Sequence, residues 1–326
     1  MAGNEKPVVA FLGPEGSYTH QATLDAFKST DVTISPLVTI EDVFAAVQNG
    51  SAYRGVVPFE NSSNGSVVFT LDLFADLHGK YPDILVCGES YVSVRHCLLG
   101  YAPSKEEEGA GPTQNQDDSA HEPARPIHDI SRVKTLYSHP QAWGQCKVFL
   151  TTYLKHCERR DVSSTSRAAE LVSQDKSGES AALSSIIAAD MFGLDVLAKS
   201  INDRVGNTTR FLVIRRKGEG NSSSSRTSTS EQRDWKSLVT FTVDHANPGA
   251  LAHCLAVFET YGLNLTSINT RPSGVQNWNY VFFVEFKGRK EDGDQDCAVN
   301  KALRDLDAVC RGYRWLGSWE NRLPAE

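Results

Sequence analysis

Val8-Val9-Ala10-Phe11-Leu12-Gly13-Pro14-Glu15-Gly16-Ser17-Tyr18-Thr19-His20 places a short apolar, β-branched run directly before a glycine-bearing loop of small and hydroxyl residues. That is a strand feeding a helix. Outward from it, β-rich runs at 55–57, 133–137, 181–183 and 211–214 alternate with amphipathic stretches such as 142–154 and 168–173. The alternation predicts an α/β fold. Each strand ends in similar grammar: Pro58-Phe59-Glu60-Asn61-Ser62-Ser63-Asn64-Gly65-Ser66, Ser138-His139-Pro140, Ser163-Ser164-Thr165-Ser166 and Ser184-Ser185. Helix N-termini carry unpaired N–H groups and partial positive charge, and ligands of open α/β sheets gather at the carboxyl ends of strands. Ordinary N-capping accounts for any one of these loops, but their recurrence points to a cleft suited to a small anion.

Two stretches cannot build a core. Residues 102–130 contain Glu106-Glu107-Glu108 with many Gly, Pro, Gln and Asp, and read as a solvated surface insertion; residues 217–234 contain Ser222-Ser223-Ser224-Ser225 and read as an interdomain linker. The expected division is therefore 1–216, a linker over 217–234, and a second domain over 235–326. Beyond the linker, strands at 238–243, 263–270, 280–286 and 313–316 and helices at 248–261, opened by a proline, and 296–309 give the order βαββαβ, the ferredoxin-like split motif.

The chain has 326 residues, which at roughly 150 per domain allows two or three lobes. With 33 basic and 40 acidic residues it carries a net charge of −7, so it offers no basic field for nucleic acid. Seven cysteines without a CxxC pair or a ligand-spaced histidine cluster suggest reduced thiols rather than disulfides or zinc. The first residues, Met1-Ala2-Gly3-Asn4-Glu5-Lys6-Pro7, precede an apolar run too short for a signal peptide or a membrane span. A soluble, cytoplasmic protein is expected. The sequons at Asn61, Asn64, Asn207, Asn221 and Asn264 are then not glycan acceptors.

Asn207-Thr208-Thr209-Arg210-Phe211 sets two hydroxyls and a guanidinium at a strand entrance. Arginine is the natural bidentate partner of a carboxylate, although at such a position it more often makes a structural ion pair than binds substrate. Taken together, the motifs closely resemble the prephenate dehydratases that carry a C-terminal ACT regulatory domain. The family's opening segment GPxG-(T/S)-(F/Y)-(S/T)-xxA matches Gly13-Pro14-Glu15-Gly16-Ser17-Tyr18-Thr19-His20-Gln21-Ala22. An ENSxxGxV element matches Glu60-Asn61-Ser62-Ser63-Asn64-Gly65-Ser66-Val67, and SHPQ with a downstream glutamine matches Ser138-His139-Pro140-Gln141 and Gln145. STxxAA matches Ser164-Thr165-Ser166-Arg167-Ala168-Ala169, and the signature NxTRF matches Asn207-Thr208-Thr209-Arg210-Phe211.

The resemblance implies conversion of prephenate to phenylpyruvate with loss of carbon dioxide and water, on the route to phenylalanine. It also implies a two-lobed catalytic region like type II periplasmic binding proteins, with the site between lobes and the chain crossing twice. The reaction has no redox step and its electrons flow into the forming ring, so no cofactor or metal is expected. By resemblance, Thr209 stands near the leaving hydroxyl as a hydrogen-bond donor. Ser17, Asn61, Ser138, Gln145 and Thr165 would bind the carboxylates and pyruvyl group, and Arg210 either clamps a carboxylate or braces the Thr209 strand. Glu60, His20 and His139 are read as structural.

The C-terminal order βαββαβ resembles ACT domains, which bind amino acids at subunit interfaces. Asn247-Pro248-Gly249-Ala250-Leu251 matches the family's GAL turn. The usual ESRP element reads Asn269-Thr270-Arg271-Pro272, departing at Asn269 while keeping Arg271 and Pro272. Feedback by phenylalanine, through a homodimer or dimer of dimers, is the expectation. Two rival readings are an arogenate dehydratase, disfavoured by the lack of a chloroplast-type leader, and a catalytically silent amino-acid or carboxylate sensor. The leading segment is too short for a fused chorismate mutase, and a monofunctional type is expected. A dinucleotide-dependent dehydrogenase fails because Gly13-Pro14-Glu15-Gly16 lacks the GxGxxG spacing.

Overall fold

The computed structural model describes residues 6–103, 124–219 and 234–323. Most of the 102–130 insertion and of the 217–234 linker thus lies outside the described residues. The chain forms two compact units, one made of Met1–Leu12, Thr23–Tyr91 and Arg210–Glu326, the other of Gly13–Ala22 and Val92–Thr209.

The first unit is built on a sheet ordered β2 (Thr33–Leu37), β1 (Val8–Leu12), β3 (Arg54–Asn61), β11 (Thr208–Arg216) and β5 (Ile84–Ser93), with β4 (Gly65–Ser66) paired to β3. β1 runs parallel to both β2 and β3, as strands joined through helices must. Helix α2 (Ile40–Gln48) starts with a capping box in which Thr39 and Asp42 exchange side-chain to backbone bonds, both 3.0 Å. It lies so close on β3 that a Cβ at Gly55 would meet Val43 Cγ1 at 2.7 Å. Helix α3 (Val68–Ala75) adds Leu71 and Phe74 to the same core.

The second unit holds the sheet β10 (Asp195–Ala198), β6 (Cys97–Gly100), β9 (Ser180–Ser184), β7 (Thr135–Ser138) and β8 (Glu158–Asp161). The pairs β7/β8 and β7/β9 are parallel, and β6 is antiparallel to its neighbours β9 and β10. Helices α4 (Pro140–Gln145), α5 (Lys147–Tyr153), α6 (Thr165–Gln174) and α7 (Ile186–Phe192) come after their strands, and α1 (Tyr18–Phe27) comes after β1. The strand runs expected from the sequence are all present. Six strands were not anticipated: β2, β4, β5, β6, β8 and β10. β8 is Glu-Arg-Arg-Asp and wholly exposed, so no apolar pattern announces it; backbone pairing to β7 alone makes it a strand. The single helix expected over 142–154 is two helices broken at Cys146.

In the C-terminal region β12 (Trp235–Thr242), α8 (Ala250–Thr260), β13 (Leu265–Pro272), β14 (Tyr280–Lys287), α9 (Ala298–Val309) and β15 (Gly312–Glu320) reproduce the predicted βαββαβ order. α8 begins at Ala250 rather than at the proline, because Gly249 takes the left-handed φ of +81 in front of it. The sheet order is β13-β14-β12-β15, antiparallel across β12/β14, β12/β15 and β13/β14. Its two central strands are buried on both faces. Val239, Phe241, Phe282, Val284 and Phe286 pack under α8 and α9. Leu238, Val281, Phe283, Leu316 and Trp319 instead share one core with Val43, Phe44, Leu71 and Phe74 of the first unit. β15 approaches β5 so closely that a Cβ at Gly317 would fall 2.1 Å from the carbonyl oxygen of Val86.

Candidate active site

In the second unit, the loop after β1 is held from beneath by the starts of two helices. The Ser166 hydroxyl, at the start of α6, donates to the Glu15 carbonyl, and Ser185 Oγ, the N-cap residue of α7, donates to the Gly16 carbonyl at 3.0 Å. Gly16 has φ +76 and its amide donates to His20 Nδ1 at 3.0 Å, while Ser17 Oγ accepts from the His20 amide at 3.2 Å. His20 thus folds back on its own turn, in line with a structural role, and burial lowers its pKa. Several hydroxyls read from the sequence as anion ligands are spent on the protein's own backbone. Ser138, wholly buried, donates to Leu183 O at 2.9 Å. Ser164 instead accepts, capping α6 at the Arg167 amide. Thr165, half-buried, is the first residue of α6.

Gln145 ends α4. The helix breaks there because Asp203, far along the chain, caps the next one: its carboxylate accepts from the Lys147 and Val148 amides at 2.9 Å, and its own amide donates to Gln145 O at 2.7 Å. Gln145 Oε1 lies 2.7 Å from Nε2 of His96, whose Nδ1 is 3.1 Å from the Tyr18 hydroxyl. His96 is buried, its amide donates to Asn202 Oδ1 at 2.6 Å, and desolvation holds its pKa below the ordinary value despite the Gln145 bond. Burial, helped by Cys97 and Cys146, pushes the Tyr18 phenol well up.

Thr209 is half-buried on β11, and the Asn207 carbonyl accepts from the Val94 amide at 2.7 Å. The boundary between the units falls at the next peptide, and Arg210 belongs to the first unit. Its guanidinium is buried among protein carboxylates: Nε and Nη2 reach Glu89 Oε2 at 2.9 and 2.7 Å, and Nη2 reaches Glu285 Oε2 at 2.5 Å. Lys236 Nζ completes a neutral cluster, 3.3 Å from Glu89 Oε1 and 3.8 Å from Glu285 Oε1. Tyr91 OH accepts from Lys236, Thr266 Oγ1 donates to Glu285, and the Arg322 amide donates to Glu89. Burial alone would push the Glu89 carboxyl up, but Arg210, the Arg322 amide and Lys236 outweigh it and hold the pKa below its usual range. In the same unit, Asn61 Oδ1 accepts from the amides of Ser63 and Asn64 at 2.9 and 3.0 Å and shapes the turn between β3 and β4.

Residues 9–219 match the family model described as prephenate dehydratase. The chain belongs to the prephenate dehydratase family. A bifunctional chorismate mutase/prephenate dehydratase of Aquifex aeolicus is 34% identical over 322 residues, covering 99% of this chain and 76% of that one. A probable prephenate dehydratase of Saccharomyces cerevisiae is 33% identical over 313 residues, 86% of this chain and 87% of its own. The crystal structure of prephenate dehydratase from Arthrobacter aurescens in complex with L-Phe superposes with a TM-score of 0.75 at 27% identity, over 98% of this chain and 92% of that one. Prephenate dehydratases are decarboxylating lyases that release carbon dioxide and water from prephenate and leave phenylpyruvate.

The residues that the family resemblance marks as regulatory lie in the βαββαβ region. Asn247 opens a turn in which its carbonyl accepts from the Ala250 amide at 3.2 Å, and Gly249 and Ala250 lead into α8, with Leu251 packed on its core. Arg271, with Pro272 after it at the end of β13, makes a bidentate pair with Asp72 of α3 at 2.6 and 3.1 Å. Asn269 Oδ1 accepts from Ser66 Oγ at 2.6 Å, so it touches the segment that carries Asn61. Sequence reading missed His96, Asp203, Glu89, Lys236 and Glu285. None lies in a motif, and the bonds that tie them to Gln145, Lys147, Arg210 or one another span 49 or more positions along the chain, so no local signal marks them. Among the described residues no helix is long and apolar enough to cross a membrane, and no group of three or more His, Cys, Asp or Glu is arranged to hold a metal ion.

Proposed function

We propose that this chain catalyses the prephenate dehydratase step with Thr209 as the positioned donor to the departing hydroxide. The ring carboxylate leaves as carbon dioxide, the electrons of its C–C bond enter the ring as the C–O bond breaks, and one proton converts hydroxide to water. A threonine hydroxyl is too weak an acid to transfer that proton early. Its contribution is a hydrogen bond that strengthens as charge builds on oxygen, worth about 10²- to 10⁴-fold. In the second unit, Ser17, Gln145 and Thr165 are assigned to the acidic and keto oxygens of the substrate, with Ser138 shaping its loop since its own proton goes to Leu183. Asn61, which the family resemblance also marks for substrate, has its Oδ1 engaged by the turn between β3 and β4.

The observation that carries this reading is Arg210. Of the two roles open to it, bracing fits a guanidinium already gripped by Glu89 and Glu285, which fixes the strand immediately beyond Thr209. The test is the full chain incubated with prephenate and with arogenate, following phenylpyruvate and phenylalanine. Prephenate turnover that collapses in Thr209→Val, with an unchanged circular dichroism spectrum, is the expected result. Turnover of arogenate alone transfers the assignment to that substrate, and inactivity on both leaves a sensor.

We assign the C-terminal region as an ACT domain that binds L-phenylalanine in a cytoplasmic homodimer or dimer of dimers, acting as a feedback inhibitor. The L-Phe complex of the Arthrobacter enzyme supports it. Titration with phenylalanine, read by calorimetry and activity, tests it: no heat and no inhibition would leave the domain an assembly role.

A further inference from the structure

We propose that His96 is the positioning residue for Gln145, holding its side-chain amide with the oxygen turned inward and the NH2 turned outward as a hydrogen-bond donor. This role rests on the reading of Gln145 as a substrate-binding residue. The amide's placement sets the proton count. Gln145 Oε1 faces His96 Nε2 at 2.7 Å, and an amide oxygen only accepts, so Nε2 carries a hydrogen. A buried imidazole without a carboxylate among its hydrogen-bond partners stays neutral, as the depressed pKa of His96 reflects. Nδ1 is then a bare lone pair, and the Tyr18 hydroxyl, 3.1 Å away, supplies the proton it needs. The phenol, itself buried, keeps that proton across the working pH range.

The opposite arrangement is also self-consistent and makes the proposal sharp. With the Tyr18 proton on Arg95 O, 3.2 Å from the hydroxyl, Nδ1–H would donate to the phenol oxygen and Nε2 would accept from a turned Gln145 amide. That state presents a carbonyl oxygen to the ligand, which repels both carboxylates of a dianion. The choice between two imidazole tautomers is therefore the choice between a glutamine that binds the substrate and one that rejects it. His96 is held in place by its own amide bond to Asn202 Oδ1 at 2.6 Å, and Gln145 by the Asp203 bond to its carbonyl at 2.7 Å. Neither backbone has to move for the amide to be set.

Steady-state kinetics with prephenate on the full chain, in the unmodified protein and in Gln145→Ala, His96→Met and His96→Gln, test this. Gln145→Ala is expected to raise KM about tenfold, the worth of one lost hydrogen bond. His96→Met is expected to raise KM comparably while kcat stays within about threefold, because a misoriented donor is lost equally from ground and transition states. His96→Gln, whose amide N–H replaces Nε2–H, should recover most of the loss. An unchanged KM in Gln145→Ala overturns the substrate assignment itself; a raised KM there with none in His96→Met overturns only the role of His96. The second measurement needs no folded variant: ¹⁵N spectra of the unmodified protein report the His96 tautomer, with the protonated nitrogen expected at Nε2. A hydrogen found on Nδ1 refutes the proposal.

Discussion

Gly16 sits in the left-handed region at φ +76 with Ser166 Oγ 2.9 Å from where a Cβ would stand, on the loop whose carbonyls receive Ser166 and Ser185. Gly16→Ala is expected to cost about 1–2 kcal/mol from backbone strain, and to lower kcat/KM by more than that global loss implies, since the displaced loop carries Ser17. Chemical denaturation and kinetics on the same sample separate the two effects. The residue identities here were readable because the motif lies within one short stretch. The bonds were not: a serine ahead of a helix reads the same whether its hydroxyl caps the helix, holds a neighbouring carbonyl or meets a ligand. Only the placement of Glu15, Gly16 and Leu183 beside these hydroxyls decides.

The break between α4 and α5 shows the same limit in a larger part. Residues 142–154 have an unbroken helical pattern, yet Cys146 turns at φ −126 and Asp203 caps α5. Asp203→Ala should cost about 1 kcal/mol as a lost N-cap, and amide exchange should rise at Lys147 and Val148 above that of the rest of α5. If the cap also sets Gln145, the KM for prephenate rises in the same variant. The pattern of β14, Tyr280-Val281-Phe282-Phe283-Val284-Glu285-Phe286, was legible as a strand, but its lack of alternation carried more information than its existence. A strand apolar on both sides is a strand covered on both sides. The two faces are the helices α8 and α9 and the core shared with α2 and α3.

For the first unit as a whole, that shared core means the C-terminal sheet is part of the fold that carries Arg210. A chain ended at residue 219 strips Leu238, Phe283, Leu316 and Trp319 from the core and Lys236 and Glu285 from the ion cluster. Breaking a buried ion pair costs about 3–5 kcal/mol, on top of the lost apolar burial. The truncated chain is expected to lose cooperative unfolding and turnover together; a stable, active fragment would contradict this. The cluster also sets an acid limit. The Glu89 pKa lies below its ordinary 4.5 in the fold, so its stabilisation is complete above that value and drains as pH falls through the lower, folded one. His96 adds to the same slope, because its folded pKa lies below 6.5 and the unfolded chain takes up that proton first. The urea midpoint should therefore fall in two stages, through His96 as pH drops below 6.5 and through Glu89 once it passes below 4.5, and Glu89→Gln should lose only the second.

The sequence by itself determined nine of the fifteen described strands, the α/β class with its βαββαβ sequel, and the motifs that mark Thr209 and its companions, because each is written in neighbouring residues and short periods. Tertiary structure alone decided which hydroxyls face the protein, where the helix before Gln145 stops, and that Arg210 is held by Glu89 and Glu285 while Gln145 is held by His96. Those outcomes depend on groups that are distant along the chain and adjacent only after folding, and burial gives such contacts their strength.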